Sequence, residues 1–104
     1  MKLYQSVRGD QPVREFVEAL DDQTKGKFLR LYDLLRDYGP RLTFPHAKRI
    51  TKDISELRIR GKTEVRIFYA RYHGMYILLH AFKKKTQKTP SKELHIAQLR
   101  LTDI

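Results

Sequence analysis

Cysteine is absent from this chain of 104 residues, which excludes disulfide bonds and thiolate metal sites. Long apolar runs are missing too, because the longest, at residues 75–82, is far too short to cross a bilayer. The N-terminal residues lack the apolar stretch of a secretory signal peptide. We therefore expect a soluble cytoplasmic protein, and neither a secreted disulfide scaffold nor a membrane protein.

Several catalytic signatures are also missing. The four histidines lie on different segments without metal-ligand spacing, at His46, His73, His80 and His95. The chain has no HExxH motif, no paired carboxylate signature and no glycine-rich phosphate loop. Metal hydrolysis, nucleotide hydrolysis and Ser or Cys nucleophile chemistry are therefore unsupported, and we expect neither a metal nor a cofactor.

Acidic residues are scarce in one part of the chain. The formal net charge is +10, from 22 Lys and Arg against 12 Asp and Glu. Residues 1–38 sum to zero, whereas residues 58–88 hold nine Lys or Arg against one acid, Glu64, and so contribute +8. Positive charge that is concentrated in this way indicates a polyanion or a strongly acidic partner, most obviously RNA or DNA.

The densest positive stretch directly follows the longest apolar run. We call it the lysine segment: four lysines within six residues, Lys83, Lys84, Lys85 and Lys88. The apolar run is typical of a buried strand. A core strand that ends in several lysines presents cations from a rigid edge, which suits a nucleic-acid backbone.

The N-terminal third has the periodicity of two helices. Asp10 or Gln11 is expected to cap the first helix, with Pro12 near its first turn. Asp21-Asp22 is expected to cap the second, which Gly39-Pro40 would end. Apolar residues recur with helical spacing in both, at Val13, Phe16, Val17 and Leu20 and then at Phe28, Leu31, Tyr32 and Leu35. Together they predict a helical hairpin.

The remainder predicts strands and one further helix. Residues 1–7 are a candidate edge strand, and residues 42–52 a connecting segment. Strand patterns cover residues 54–60, 65–71 and 75–82, separated by turn signals at 61–63 and 72–74. Thr89-Pro90 would open a last helix, whose buried stripe is Leu94, Ala97, Leu101 and Ile104.

This order of elements predicts one α+β domain over residues 1–104. We expect an N-terminal helical hairpin packed on an antiparallel β-sheet of three to four strands, with a C-terminal helix. The strand at residues 75–82 is apolar on both faces and should lie inside the sheet.

Four pieces of the sequence resemble a known group of proteins. They are Pro12-Val13-Arg14-Glu15-Phe16, Glu56-Leu57-Arg58-Ile59-Arg60, Arg66-Ile67-Phe68-Tyr69, and Leu78-Leu79-His80-Ala81-Phe82 running into Lys84-Lys85-Thr86-Gln87-Lys88-Thr89-Pro90. With the element order, they resemble the RelE/ParE superfamily of bacterial toxin–antitoxin toxins, in particular its HigB-like, phage-derived branch. Family members usually begin with a longer first strand, so residues 1–7 would be a shortened edge.

The resemblance implies a RelE-like fold and the activity of an mRNA interferase. Such a toxin of a type II toxin–antitoxin system enters the ribosomal A site and cleaves mRNA there without a metal, which stops translation. A cognate antitoxin, often a helix-turn-helix DNA-binding protein, neutralises the toxin. The toxin–antitoxin complex binds operator DNA through the antitoxin and represses its own promoter.

RNA cleavage of this kind requires proton transfer and positive charge at the reacting phosphate. Arginine provides a planar and permanently charged clamp, and a lysine crowded by cations can also move protons. The candidate catalytic residues are Arg58, Arg66, His80, Lys84 and Lys85. The candidate RNA-binding residues are Arg60, Phe82, Lys83, Gln87 and Lys88.

The alternation of strand residues groups these candidates by face. Arg58 and Arg60 share one face of their strand, and His80, Phe82 and Lys84 share one face of theirs. If the register brings these faces together with Arg66, one surface holds a phosphate cradle and a stacking platform. Each candidate also has a structural interpretation: the arginines as solvent-side charges, and His80 and Phe82 as core residues.

Two other functions fit the same sequence. A gyrase inhibitor of the ParE type would have the same fold and would need no RNA-cleaving residues. A non-catalytic nucleic-acid-binding domain would use the basic surface for affinity alone.

Overall fold

The computed structural model describes residues 1–85, 88 and 90–104. Within these residues the chain forms five strands and three helices. In chain order they are β1 Lys2–Leu3, α1 Pro12–Glu18, α2 Asp22–Tyr38, β2 Ala47–Arg49, β3 Ser55–Ile59, β4 Val65–Tyr72, β5 Met75–Lys83 and α3 Ser91–Thr102. The predicted α+β class is confirmed.

The five strands form one mixed sheet in the order β1-β5-β4-β3-β2. All neighbours are antiparallel except β1, which pairs with β5 in parallel. The prediction of an antiparallel sheet of three to four strands is therefore wrong in number and in direction. The predicted edge strand is present as β1, and residues 42–52 contain β2 in addition to a connection.

The helices cover both faces of the sheet. The predicted helical hairpin is confirmed, since α1 and α2 bury Val13, Phe28 and Leu35 in the same apolar cluster as Leu57 and Ile67 of the sheet. The helix α3 packs on the opposite face, where Ala97 joins a second cluster with Phe68, Leu79 and Phe82. As a result β5 is buried on both faces and paired on both sides, as its apolar sequence requires.

The capping residues explain where the helices of the hairpin begin and end. Gln11 precedes α1, and Pro12 occupies its first turn without losing a helical hydrogen bond. The carboxylate of Asp21 accepts from the backbone N–H of Thr24 at 3.1 Å, which satisfies an unpaired donor at the start of α2. Gly39 ends α2 with a positive φ of 52°, and residues Gly39–Arg41 then form one 3-10 turn.

The connection between β4 and β5 fixes the register of the central hairpin. Tyr72 pairs with Met75, and the two loop residues, His73 and Gly74, have φ values of 50° and 78°. Positive φ at both positions matches the twist of the flanking strands. The register then shifts between Phe68, which pairs with His80, and Tyr69, which pairs with Leu78. Leu79 is therefore an additional residue in β5, and the alternation of side chains between the two faces is interrupted there.

Polar contacts attach α3 to the sheet. The hydroxyl of Tyr4 donates to Asp103 Oδ2 at 2.6 Å, and Arg100 Nη1 donates to the carbonyl of Leu79 at 2.9 Å. The predicted apolar stripe of this helix is correct for Leu94, Ala97 and Leu101, which pack in the second cluster. It is wrong for Ile104, which lies beyond the end of α3 and is exposed because no further helical turn directs it to the sheet.

None of the helices in the part of the chain that the structure describes has the length and apolar character needed to cross a membrane.

Two leucines of α2 provide a test of this packing. Leu35 is fully buried between the helix and the sheet, whereas Leu29 is exposed on the same helix. We expect Leu35→Ala to lower the free energy of unfolding by about 2–5 kcal/mol, because it leaves a cavity. Leu29→Ala should change it by less than about 0.5 kcal/mol. Urea unfolding followed by circular dichroism measures both, and equal effects would contradict the observed orientation of α2.

Candidate functional site

The strand register brings three of the candidate residues into one row. Arg58 on β3 lies opposite Arg66 on β4, and Arg66 lies opposite Phe82 on β5. The row occupies the sheet face that also carries α3, because Phe82 packs in the same apolar cluster as Ala97. The sequence could not give this register, but it grouped these residues correctly by face.

Glu56 joins the two arginines into a buried cluster. Its carboxylate oxygens lie 3.8 Å from Arg66 Nε and 3.8 Å from Arg58 Nε. The side chains of Glu56 and Arg66 are each only 2% exposed, and that of Arg58 is 11% exposed. We refer to Glu56, Arg58 and Arg66 as the arginine–glutamate cluster. Buried charges are stable only when they are paired, so one carboxylate holds two guanidinium groups in place.

The cluster contains polar atoms without hydrogen-bond partners. Within the described residues, Glu56 Oε1, Arg58 Nε and Arg66 Nε are buried and make no hydrogen bond. The contacts at 3.8 Å are ion pairs and are too long for hydrogen bonds. Buried polar atoms of this kind are rare and expensive to desolvate. The two arginines and the glutamate are therefore held together by ion pairing and not by direct hydrogen bonds between them.

Arg66 is held entirely by internal contacts. Its Nη1 donates to the backbone carbonyl of Val65 at 3.2 Å, and its Nη2 lies 3.5 Å from Glu64 Oε2. Burial lowers the pKa of Arg66, an effect that Glu56 partly opposes and the charge of Arg58 reinforces. The guanidinium nevertheless stays charged, because arginine does not lose its proton in proteins. Arg66 therefore provides a fixed positive charge beneath the surface.

Arg58 connects the cluster to the surface. Its guanidinium carbon lies 4.9 Å from the centre of the Phe44 ring, in the arrangement of a cation–π contact. Its backbone N–H donates to the carbonyl of His46 at 2.9 Å, which attaches β3 to the turn that carries Phe44. Of the two arginines in the cluster, Arg58 is the more exposed and is the one placed to meet a ligand.

Lys84 lies beside the cluster at the end of β5. Its backbone N–H donates to the carbonyl of Glu64 at 2.9 Å, and its side chain is half-buried. Burial lowers the pKa of Lys84, the positive charges of Arg66 and Arg58 lower it further, and the charges of Glu56 and Glu64 act in the opposite direction without reversing the shift. Such a lysine gives up its proton more readily than a solvated one. The predicted candidates Arg58, Arg66 and Lys84 thus lie together.

The other cationic candidates lie at the edge of this site. Arg60 follows β3, is about half exposed and lies 3.8 Å from Glu64. Lys83 and Lys85 are exposed on either side of Lys84, and Lys88 is also exposed. Gln87 lies outside the described residues. The catalytic role of Lys85 and the RNA contacts of Arg60, Lys83, Gln87 and Lys88 stay predictions.

His80 faces α3 and not the arginine–glutamate cluster. Its Nε2 lies 2.7 Å from Glu93 Oε1, and its Nδ1 lies 3.1 Å from Arg100 Nη1. Because Arg100 can only donate, Nδ1 of a neutral ring accepts and Nε2–H donates to Glu93. Both ring nitrogens are therefore engaged in linking β5 to α3, and the catalytic role of His80 stays a prediction without geometric support.

Phe82 packs into the core. Its ring lies 5.3 Å from that of Phe68 and 5.7 Å from that of His80, and the residue is buried. In this conformation the Phe82 ring cannot offer a free face to a base, which agrees with its interpretation as a core residue. No group of three or more side chains suited to hold a metal ion occurs in the part of the chain that is described.

Two residues of the site were not identified from the sequence. Glu56 precedes Arg58 by two positions, so the two side chains lie on the same face of the strand. If that face is known to be buried, this spacing predicts that the Glu56 carboxylate pairs with the arginines. Phe44 lies in a segment without regular pattern, and its contact with Arg58 depends on the tertiary fold. No local signal in the sequence indicates it.

The protein is therefore an α+β domain that has a buried arginine–glutamate cluster beside a half-buried lysine at one end of a mixed sheet. Residues 15–102 match the family described as phage-derived protein Gp49-like (DUF891), and the chain belongs to that family. This family membership agrees with the resemblance of the sequence to a phage-derived branch of toxins, and it is consistent with a toxin. No curated protein gives a significant match.

A double-mutant cycle measures the coupling within the cluster. We expect Glu56→Leu and Arg66→Met each to lower the free energy of unfolding by about 3–5 kcal/mol, because each leaves a buried charge unpaired. The double variant should be destabilised by less than the sum. As a control, Arg60→Met removes only an exposed ion pair and should cost about 0–1 kcal/mol. Additive effects of the two buried changes would show that the 3.8 Å contact contributes no coupling.

Acidification should weaken the attachment of α3. Burial lowers the pKa of His80, the hydrogen bond to Glu93 acts in the opposite direction, and the charge of Arg100 lowers the pKa again. Between this depressed pKa and the unfolded value of about 6.5, the unfolded chain binds more protons than the folded chain. Stability should therefore be complete above pH 6.5 and fall below it.

Urea midpoints at about pH 7.5 and 5.5 measure this effect, because this interval includes the unfolded pKa of histidine. The variant His80→Gln should lose less stability over the same interval than the original protein. A midpoint that rises on acidification in the original protein would show that Glu93 dominates and raises the pKa of His80.

Proposed function

We propose that this protein is the toxin of a type II toxin–antitoxin module and that it cleaves mRNA on the ribosome as a metal-independent endoribonuclease of the RelE/ParE superfamily. Membership of the phage-derived Gp49-like family supports the toxin assignment. The observation that carries the nuclease assignment is the buried arginine–glutamate cluster beside a half-buried lysine of lowered pKa.

The reaction that this arrangement supports is an internal transesterification of RNA. The ribose 2′-oxygen loses its proton and bonds to the adjacent phosphorus, and the bond between phosphorus and the 5′-oxygen breaks. The products are a 2′,3′-cyclic phosphate and a 5′-hydroxyl end. The phosphorane formed on the way gains negative charge, so positive charge fixed in advance at that position lowers the barrier.

Arg58 is the residue that would contact the phosphate. It is the more exposed arginine of the cluster, with a side chain 11% exposed against 2% for Arg66. A guanidinium matches two phosphate oxygens with a planar fork of N–H donors. Because Glu56 and Phe44 restrict its side chain, Arg58 loses little freedom when the phosphate arrives.

Lys84 would move the protons. Its lowered pKa gives a larger neutral fraction than an ordinary lysine has at neutral pH, and a neutral amine can accept the proton of the 2′-hydroxyl. The resulting ammonium, beside two arginines, readily returns the proton to the leaving 5′-oxygen through solvent. Lys85 and Lys83 are exposed next to it and would hold the neighbouring phosphates.

Arg66 and Glu56 would act as positioning residues and would not touch the substrate. Both are 2% exposed, so a substrate cannot reach them in this conformation. Glu56 orients Arg58, and the charge of Arg66 lowers the pKa of Lys84. Substrate placement would come from the ribosome, which explains how so few residues could suffice.

The positively charged surface around Arg58 would also be the surface that a cognate antitoxin covers. An acidic partner, or one that brings a helix to this face, would neutralise the charge and block access to Arg58. The antitoxin would in turn carry the complex to operator DNA.

The decisive experiment is induction of the protein in bacteria with mapping of mRNA 5′ ends. We expect growth arrest and 5′-hydroxyl ends inside translated codons. Lys84→Gln should reduce these cuts by about 10²-fold or more, the usual contribution of a general acid–base group. Lys2→Gln is the matched control, because Lys2 is exposed, pairs with Ile77 near the start of β5, away from Lys84 beyond the end of that strand, and should leave cleavage unchanged.

The alternatives give different results in the same experiment. Arrest without mRNA cuts would indicate a gyrase inhibitor, which a DNA supercoiling assay would then detect. Absence of both, with RNA binding retained, would indicate a non-catalytic nucleic-acid-binding domain. Equal cleavage by the Lys84→Gln variant would remove Lys84 from the mechanism. Unchanged toxicity when the candidate antitoxin from the neighbouring gene is co-expressed would remove that partner.

A further inference from the structure

The ring of Phe44 is exposed beside the arginine–glutamate cluster. It is 66% exposed, the second highest value among the large apolar side chains on the surface. The turn that carries it is ordered, because the backbone N–H groups of His46 and Ala47 both donate to the carbonyl of Thr43, at 3.0 and 3.1 Å. An ordered turn that holds a large apolar ring in solvent exposes it at a hydrophobic cost, which a ligand would remove.

One side of the ring is already in use. The guanidinium of Arg58 lies 4.9 Å from the ring centre, so Phe44 contacts the one residue of the cluster that reaches the surface. A nucleotide whose phosphate binds Arg58 would have its base within reach of this ring. Nucleobases stack on aromatic side chains with little dependence on sequence, because every base offers a flat face.

The rest of the ring forms part of a cleft. Phe44 lines a cavity of about 480 Å³, a volume within the range of small-ligand sites. Four cationic residues, Lys48, Arg49, Lys52 and Arg71, line the same cavity together with one acid, Asp53. A stacking surface with cations around it is the combination that single-stranded nucleic acids bind.

We propose that Phe44 forms a nucleobase-binding subsite, in which one base of single-stranded RNA stacks on the ring while the adjoining phosphate meets Arg58. The cations of the cleft bind the backbone on the other side of that base. This inference rests on the proposed RNA substrate and adds to it the group that receives a base. It also explains why Phe82, which is buried in the core, is not needed as a platform.

The test is the binding of a short single-stranded RNA, labelled with a fluorophore and followed by anisotropy. Phe44→Ala should weaken binding by about 5- to 150-fold, the range for loss of one base–aromatic stack. Phe44→Trp should retain binding, and Phe44→Leu, which keeps apolar volume without a π-face, should not. Because Phe44 is exposed, none of these changes should unfold the protein.

Tyr38 provides the matched control. It is an exposed aromatic residue with an arginine, Arg41, 5.8 Å from its ring centre, but it does not line the cleft. Tyr38→Ala should change the affinity by less than about twofold. Equal losses from Tyr38→Ala and Phe44→Ala, or no loss from either, would overturn the proposal. Absence of measurable RNA binding by the original protein would overturn it too.

A scan with abasic nucleotides identifies stacking directly. Removing the base at one position should weaken binding to the original protein as much as Phe44→Ala does, and should have no effect on the Phe44→Ala variant. The slope of log Kd against log salt should be unchanged by Phe44→Ala and reduced by Arg71→Ala, because only the arginine contacts phosphate. An abasic effect that persists in Phe44→Ala would place the base elsewhere.

The outcome separates this inference from the proposed nuclease. If induction gives no mRNA cuts while the abasic effect depends on Phe44, the subsite stands and the nuclease assignment falls. If cuts occur and Phe44→Ala binds RNA as the original protein does, the nuclease stands and the subsite falls.

Discussion

The contact of one carboxylate with two guanidinium groups is the interaction on which the site depends. Glu56 lies 3.8 Å from both Arg58 and Arg66, on a sheet face from which water is largely excluded. Without Glu56, two like charges on neighbouring strands would face each other in a medium of low dielectric constant. Because that carboxylate lies between them, Arg58 and Arg66 can both stay charged at opposed positions of two paired strands.

The two ends of β5 lie in different surroundings. Toward its start, β5 pairs with β1 and β4 and packs against helices on both sides, so this part serves stability. His80 marks the boundary, because its ring connects to Glu93 and Arg100 of α3. Beyond it the strand ends at Lys83, and the next residue is Lys84, whose pKa is lowered by burial and by the charges of Arg66 and Arg58. One strand thus connects the packed core to the arginine–glutamate cluster.

Local signals in the sequence predicted much of the fold. The caps at Asp21 and Gly39, the alternation in β3, and the β-branched and aromatic run of β4 act over a few residues and are readable without the tertiary structure. The parallel pairing of β1 with β5 was missed because it joins distant parts of the chain through only two residues. The strand β2 was missed because Ala47-Lys48-Arg49 has no apolar alternation.

The site was predictable to a similar extent. Alternation grouped Phe82 and Lys84 on one face of their strand and fixed the face on which Arg58 lies in its own. The register, which the sequence does not indicate, places Arg58 and Phe82 on either side of Arg66. The contacts of His80 with α3, the burial of Phe82 and the position of Phe44 depend on packing between elements, which no local pattern encodes. The additional residue in β5 also changes the phase of its side chains, so a strict period of two fails across it.

The hydrogen bond from the Lys84 N–H to the Glu64 carbonyl has a consequence for how this protein can vary. It extends the ladder of β4 and β5 by one residue, so the backbone of Lys84 belongs to the rigid sheet and not to the segment that follows. A substitution at Lys85 would therefore change the charge presented at this edge while the backbone of Lys84 keeps its place. Such a division lets the chemistry of the exposed edge vary without rebuilding the sheet beneath it.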